Sequence, residues 1–566
     1  MSAGVEHNSY HRLFEVQPGF RSQQTPALVE AVEVSGPAVR HRVVTYGQLL
    51  EDVNRLAAGL AARGVGPGDR VLLLVPMSVE LYESVLAVMK LGAVCLFIDP
   101  GDGLGNLDRI AAAMSPKAFV GVPRAHLLRL ASRALRSIPL QIAARPMRWP
   151  RALAWTELLE PARELPTAAV RGDDPAMISF TSGSSGTPKG VCRTHGDLRA
   201  MFAMLSNHEA KRLQGVDFCA FPAFPLDDLS AGRTSVLPCF PPGRPSPDHA
   251  AALATQLREF PPVLVTTPPW VLRLLADHCR STGERFPSVR HVFTGGGVVP
   301  LALVRELASV FATAEFHALY GSTEAEPVSL IEAGELLADT AALTEDGAGI
   351  CVGWPAPGVE VTIVEPSEEP ADALHPVEGI GEIAVSGAHV NREYYRDEAL
   401  TRRHKIRDAA TGRCWHRMGD LGYRDAKGRL WLVGRYSSRV VTAGRTLYPD
   451  QVEPIFDVYT GIAKTVLIGV DAGPPGRQAR VAALLVQFRP DAADRAGKLE
   501  AVRRGCRERG LPIAAVLECE RLLHDRRIGA KVQYAALARR HGGAVRAALG
   551  ETWPRRLLRW LRGPVT

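Results

Sequence analysis

Ile178-Ser-Phe-Thr-Ser-Gly-Ser-Ser-Gly-Thr-Pro-Lys-Gly190 is the stretch from which the fold can be read. An apolar run leads into eight consecutive Gly, Ser, Thr and Pro residues, 181–188, closed by Lys189. Glycines let backbone N–H groups approach a polyanion, hydroxyls add donors and a lysine neutralises charge, so the loop reads as a phosphate cradle. Its candidate ligands are Thr181, Ser182, Gly183, Ser184, Ser185, Gly186, Thr187 and Lys189. It is not a Walker A loop: that motif needs Gly-Lys-Ser/Thr, and here Thr187-Pro188 separates Gly186 from Lys189. A phosphate cradle at the carboxyl end of a buried strand belongs to a mostly parallel sheet covered by helices.

The flanks agree. Tyr46–Arg63 has helical apolar spacing, Arg70–Val75 reads as a buried strand, Leu81–Lys90 as a helix and Ala93–Asp99 as the next strand. The alternation recurs through Ala176–Phe180, Val263–Thr266 and His291–Thr294, each ending at Gly, Ser, Thr or Pro. After about Ala348 short β-like segments take over, among them Val359–Val364 and Gly381–Ser386, and a smaller α+β portion follows Arg435. The expected fold class is therefore α/β: a large N-terminal body of sheets covered by helices (1–434) with a β-rich subdomain, a small mobile C-terminal α+β lid (435–545), and a basic tail (546–566).

A chain of 566 residues exceeds any single small binding module. With 46% hydrophobic and 22% charged residues it is an ordinary globular composition, not a disordered one. The +7 net charge, 67 basic against 60 acidic residues, is too mild to argue for nucleic acid and suits anionic small molecules. Nine cysteines form no CxxC pair, no signal peptide opens the chain, and no run reaches the roughly 18 apolar residues of a spanning helix, so a cytoplasmic location is expected.

Further clusters carry chemistry. Tyr320-Gly-Ser-Thr-Glu324 offers an aromatic for a purine, Thr323 for a phosphate oxygen and Glu324 for Mg²⁺. Thr294-Gly-Gly-Gly-Val298 gives a flat ligand close backbone access at Gly295 and Gly296. Trp415-His-Arg-Met-Gly-Asp420 and Leu432-Val-Gly-Arg435 flank the turn-like Asp425–Gly428, a hairpin that returns Asp420 and Arg435 to one place. His195, just after the phosphate loop, is either a pocket base that takes a hydroxyl proton or a packed, hydrogen-bonded histidine.

In this order, over residues 25 to 540, these motifs resemble the adenylate-forming superfamily of acyl-CoA synthetases, nonribosomal peptide adenylation domains and luciferases. The resemblance implies ATP and Mg²⁺ as cofactors. Gly295, Gly296 and Tyr320 would hold the adenine, Thr323 the α-phosphate, Glu324 the metal, Asp420 and Arg435 the ribose, and Lys531 the carboxylate substrate. The family's hinge pattern carries an aspartate and a lysine where this chain has Ser437 and Val441, which weakens a thioester-forming reading. Cys414–Tyr423, Leu447–Pro454 and Asp525–Lys531 look most like the olefin β-lactone synthetase branch. That branch implies a β-hydroxy carboxylic acid as substrate and closure by its own hydroxyl. An acyl-CoA or acyl-carrier-protein ligase is the alternative, and a catalytically idle nucleotide-binding protein the reading from another class. Phe224, Leu226, Asp227 and Asp228 are expected at the acyl pocket. The tail, with Arg555, Arg556, Arg559 and Arg562, would serve a partner enzyme or membrane surface, or simply fray.

Overall fold

The computed structural model describes residues 4–15, 23–147, 152–159, 165–182, 188–239, 249–409, 411–472, 479–523 and 532–549. The helix Tyr46–Ala62 starts where Thr45 and Gln48 form a capping box and buries Leu49, Val53, Leu56 and Leu60 at the spacing of one helical face. The next helix, Val79–Lys90, begins two residues earlier than its apolar pattern indicates, because the Ser78 hydroxyl caps it by accepting from the Leu81 N–H. All its residues are buried, Glu80 and Glu83 included.

That helix is buried on every side because it lies between two sheets. One core cluster joins Val79, Val85 and Leu86 to Val71, Cys95 and Ile142 of a seven-stranded sheet and to Leu28, Cys219 and Leu237 of a larger one. The seven-stranded sheet runs in the order Leu153–Ala154, Leu140–Ala143, Ala118–Gly121, Arg70–Leu74, Val94–Phe97, Pro175–Ser182, all parallel neighbours, and ends with Pro188–Thr194 added antiparallel. The larger sheet has fourteen strands. Its parallel part holds Val216–Cys219, Leu264–Thr266, His291–Gly295 and Glu315–Ser322. Helices Ala250–Glu259, Pro269–Thr282 and Leu301–Val310 cover its other face, and Leu104–Met114 covers the outer face of the smaller sheet.

The β-rich segment after Ala348 is not a separate sheet. Ala325–Glu332, Ile350–Pro355, Leu430–Arg435, Cys414–Arg424, Gly381–Ser386 and Glu360–Val364 continue the larger sheet antiparallel, strand by strand. Beyond it, Ile462–Ala472 and Ala479–Phe488 pair antiparallel and Ile513–Glu518 joins parallel. Helices Pro449–Asp457 and Arg495–Glu508 pack on one face of this three-stranded sheet and Tyr534–Leu549 on the other. Val440 and Leu447 already belong to this second core. Between the two bodies Arg509 Nη1 donates to Asp346 (2.7 Å) and Gln451 Nε2 to the Ala348 carbonyl (3.4 Å). Arg546–Leu549, expected in the tail, continue the last helix. The rest of the tail and the segment 524–531 with Lys531 lie outside the described residues. No helix among the described residues is long and apolar enough to cross a membrane.

Candidate active site

The phosphate-loop strands form a hairpin in which Thr181 pairs with Lys189 and Ser182 with Pro188. Gly183, Ser184, Ser185, Gly186 and Thr187 lie outside the described residues, as do the side chains of Thr181 and Ser182. Lys189 is described in full. Its Nζ donates to His404 Nε2 (2.9 Å) and stands 5.7 Å from the centre of the Tyr394 ring. Burial lowers the lysine's pKa, opposed by the carboxylate of Glu324. His404 is pushed down to about 3, by burial first and then by the Lys189 charge, so it is the neutral acceptor of that bond.

Glu324 ends the turn after strand Glu315–Ser322. Burial would raise its pKa, but His416, Lys405 and a hydrogen bond from the Tyr394 hydroxyl to Oε1 (2.8 Å) together hold it down to about 2. It is a fixed anion. Lys405 is buried beneath it, donating to the Asn391 carbonyl (2.5 Å) and Oδ1 (2.6 Å), while the Asn391 N–H donates to the Glu324 carbonyl (2.9 Å). Burial brings Lys405 down to about 8 against the pull of Glu324. Neighbouring Thr323 is held through its carbonyl, which accepts two bonds from Arg193 (3.2 and 2.9 Å) on the strand that follows the phosphate loop.

Tyr320, Asp420 and Arg435 meet. The turn works as the spacing predicts: Asp425 Oδ1 accepts from the Lys427 and Arg429 N–H groups, and the hairpin sets Asp420 directly opposite Arg435. Asp420 Oδ1 lies 3.1 Å from Arg435 Nε, and Oδ2 accepts from the Tyr320 hydroxyl at 2.9 Å. Behind it the buried Glu382–Arg417 pair braces the turn, Glu382 Oε1 accepting from the Gly419 N–H (3.2 Å). Tyr320 is only 8% exposed, packed with Ala325, Val328 and Met418. Gly295 ends the neighbouring parallel strand, where a Cβ would lie 2.5 Å from the Leu319 carbonyl oxygen, and Gly296 follows at φ 75°. Beside them Thr294 Oγ1 is buried and makes no hydrogen bond within the protein. The charges of Glu324 and Arg435 both act on Lys189, and Glu324 acts on Arg435, so the two clusters share one electrostatic neighbourhood.

Two expectations need correction. His195 begins the helix His195–Asn207 fully buried, its Nδ1 accepting from the Ser9 N–H (3.1 Å) and 3.0 Å from the Ser9 hydroxyl. Burial lowers it to about 4. It ties an N-terminal segment to the body, and this placement removes the basis for a pocket base. Asp227 and Asp228 do not line an acyl pocket either. Both are buried and held by Arg233 (2.7 and 3.0 Å), with Ser235 donating to Asp228 and Lys211 3.6 Å from Asp227. At the hinge Ser437 lies in a single 3₁₀ turn and Val441 is 48% exposed.

Sequence reasoning passed over Tyr394, His404, Lys405 and His416. The signal was the basic run Arg402-Arg403-His404-Lys405 entering a short β segment, since a lysine at a strand position that faces inward must find an anion there.

A phosphate hairpin with its lysine, an ionised glutamate and an Asp–Arg–Tyr cluster at the strand ends define an adenylate-forming ligase. The chain belongs to the AMP-binding enzyme family, whose model matches residues 20–395. Among particular relatives, it is 37% identical to the olefin β-lactone synthetase of Stenotrophomonas maltophilia, over 83% of this chain and 85% of that one. It is 36% identical to that of Xanthomonas campestris, over 81% and 83%. The fold matches ATP-bound MatB from Rhodopseudomonas palustris with a TM-score of 0.75 at 21% identity, covering 95% of this chain and 99% of that one.

Proposed function

We propose that the protein activates a β-hydroxy carboxylic acid with ATP and Mg²⁺ and converts the acyl-adenylate to a β-lactone. The substrate carboxylate attacks the α-phosphorus and pyrophosphate leaves. The β-hydroxyl oxygen then attacks the acyl carbon, AMP leaves as the C–O–P link breaks at the acyl carbon, and the hydroxyl proton passes to solvent. Ring closure within one bound molecule needs no second substrate, and proximity supplies the effective concentration.

The residues fit their parts. Asp420 offers acceptors to a ribose diol, with Arg435 Nε 3.1 Å from its Oδ1 to fix the carboxylate in place. Gly296, exposed at φ 75° just past the buried end of the strand at Gly295, gives the edge of a base close backbone access near Tyr320. Glu324, ionised and half-buried, would hold Mg²⁺, which supplies charge neutralisation for the leaving pyrophosphate. Lys189, presented by the phosphate hairpin, adds a positive charge at the phosphoryl oxygens. Lys531 is proposed to reach the carboxylate from the lid.

The observation that carries adenylation is the convergence of Tyr320, Asp420 and Arg435 with Lys189 and Glu324. The likeness to two olefin β-lactone synthetases over most of their length supports the lactone as product, and Ser437 and Val441 at the hinge agree with it. Incubating β-hydroxy acids with Mg-ATP and no thiol, with mass spectrometry of the products, tests the reading. A β-lactone and AMP are expected; product formed only with coenzyme A or a carrier protein present would overturn it.

A further inference from the structure

The two parallel strands whose carboxyl ends carry Gly295 and Tyr320 also hold a second cluster at their opposite ends. His291 pairs with Glu315 across the strands, and Phe293 pairs with His317 two residues on. Side chains two apart on a strand share a face, so His291, Glu315 and His317 all project to the same side. His291 Nδ1 lies 3.0 Å from His317 Nε2, Glu315 Oε2 is 3.5 Å from the first nitrogen and 4.0 Å from the second, and one donor atom from each residue falls within 4.8 Å of the others.

We propose that His291 Nδ1, His317 Nε2 and Glu315 Oε2 form a site for one divalent transition-metal ion, with zinc the best match. Bonds of 2.0–2.1 Å in a tetrahedron put donor atoms about 3.3 Å apart. The three observed separations bracket that spacing, and tenths of an ångström of adjustment bring them to it. Two imidazoles and one carboxylate select zinc, cobalt or iron over magnesium and calcium, which take oxygen donors. The fourth position is left to water.

The ligands are prepared by packing. His317 is buried with 1% of its side chain exposed, its ring stacked on Phe293 (4.6 Å between centres) and met edge-on by His208 (5.0 Å). His291 is 16% exposed and Glu315 66%, so the ion has a path from solvent and the carboxylate can move to it. Without metal the two rings share a hydrogen bond. Metal entry needs that proton on the other nitrogen of its own ring: a donor His291 becomes the Nε2–H tautomer, while His317 keeps its proton on Nδ1, and no net proton is released. The ion would clamp the two strands roughly 10–13 Å from their nucleotide-facing ends, a structural role independent of Glu324 and of ATP.

Tag-free protein stripped with a chelator tests this by titration with Zn²⁺ and Co²⁺ without Mg-ATP. One tightly bound ion per chain is expected by elemental analysis, with the intense visible bands of tetrahedral cobalt and a zinc-dependent rise in melting temperature. H291Q and E315Q should each weaken zinc binding at least tenfold and abolish the temperature rise. Because H317Q changes a buried ring and can fail to fold, the two more accessible variants, checked by circular dichroism, carry the decision. No bound equivalent in the wild type, a weak octahedral cobalt spectrum, or equal zinc binding by wild type, H291Q and E315Q would overturn the proposal.

Discussion

Lys405 shows how much of the site depends on a residue that need never touch substrate. It sits under Glu324 with its pKa lowered by burial to about 8 and donates to Asn391. As pH rises through about 8 it loses its proton, and Glu324 then loses one of the charges that hold it ionised. ATP–pyrophosphate exchange should therefore fall on the alkaline side. Lys405→Gln should lower the rate by about one to two orders of magnitude and flatten that alkaline limb; a variant with the wild-type pH profile would refute the link. Glu83 tells a different story. Its carboxyl is pushed up to about 8 by burial, then by Asp52, Glu80 and Glu30 against Arg42, and neither of its oxygens accepts a hydrogen bond, Arg42 Nη2 standing 4.0 Å from Oε1. A group raised in the fold stabilises below its unfolded pKa of about 4.5 and loses that contribution as pH rises to about 8. Glu83→Gln should be more stable than wild type at pH 8 by about 1–3 kcal/mol, with the gap closing at pH 5, as thermal melts at the two values would register. The acidity of positions 80 and 83 was visible in the sequence; their burial was not, since it comes from a second sheet laid over an otherwise ordinary amphipathic helix.

Among the elements, the hairpin joining Asp420 to Arg435 was the most legible, because a turn with Asp425 and Gly428 and a count of residues on each side fix the register. Asp420→Ala leaves Arg435 and the Tyr320 hydroxyl without their shared acceptor, and the expected result is a KM for ATP at least about tenfold higher, from the loss of a charge-assisted hydrogen bond, with the fold retained. An unchanged KM would remove Asp420 from the nucleotide site. At the adjoining strand the constraint is backbone contact. Gly295→Ala puts a methyl 2.5 Å from the Leu319 carbonyl, so the strands must part. A stability loss of about 1–3 kcal/mol and weaker ATP binding by calorimetry should accompany each other. What local sequence could not show was the Tyr394, His404 and Lys405 layer beneath Glu324. Those residues reach the site from a segment some 70 positions away in the chain, and only sheet order brings it there.

On the scale of the molecule, the large and small bodies build their apolar cores on separate stretches of chain, one such core including Leu28 and Leu237 and another Val440 and Val516. An exposed Arg509–Asp346 pair between the bodies adds little cohesion. Scanning calorimetry should resolve two transitions, ATP raising the one that belongs to the body; a single transition with equal calorimetric and van't Hoff enthalpies would contradict that. The alternation of helices and strands up to Ala348 made the covered parallel sheets readable. That the β-rich segment would prolong the larger sheet was not, because antiparallel addition at an edge leaves the same local pattern as an independent sheet.

The strand carrying Arg435 is pinned by Asp420 at its last residue, and Val440 is already embedded in the second core. Only residues 436–439 lie between. The five Cα-to-Cα steps from Arg435 to Val440 reach at most about 18 Å when fully drawn out, so the leash keeps the small body beside the end of that strand. A residue of the small body that serves the nucleotide would thus be held near it at an effective concentration set by geometry and indifferent to how dilute the enzyme is.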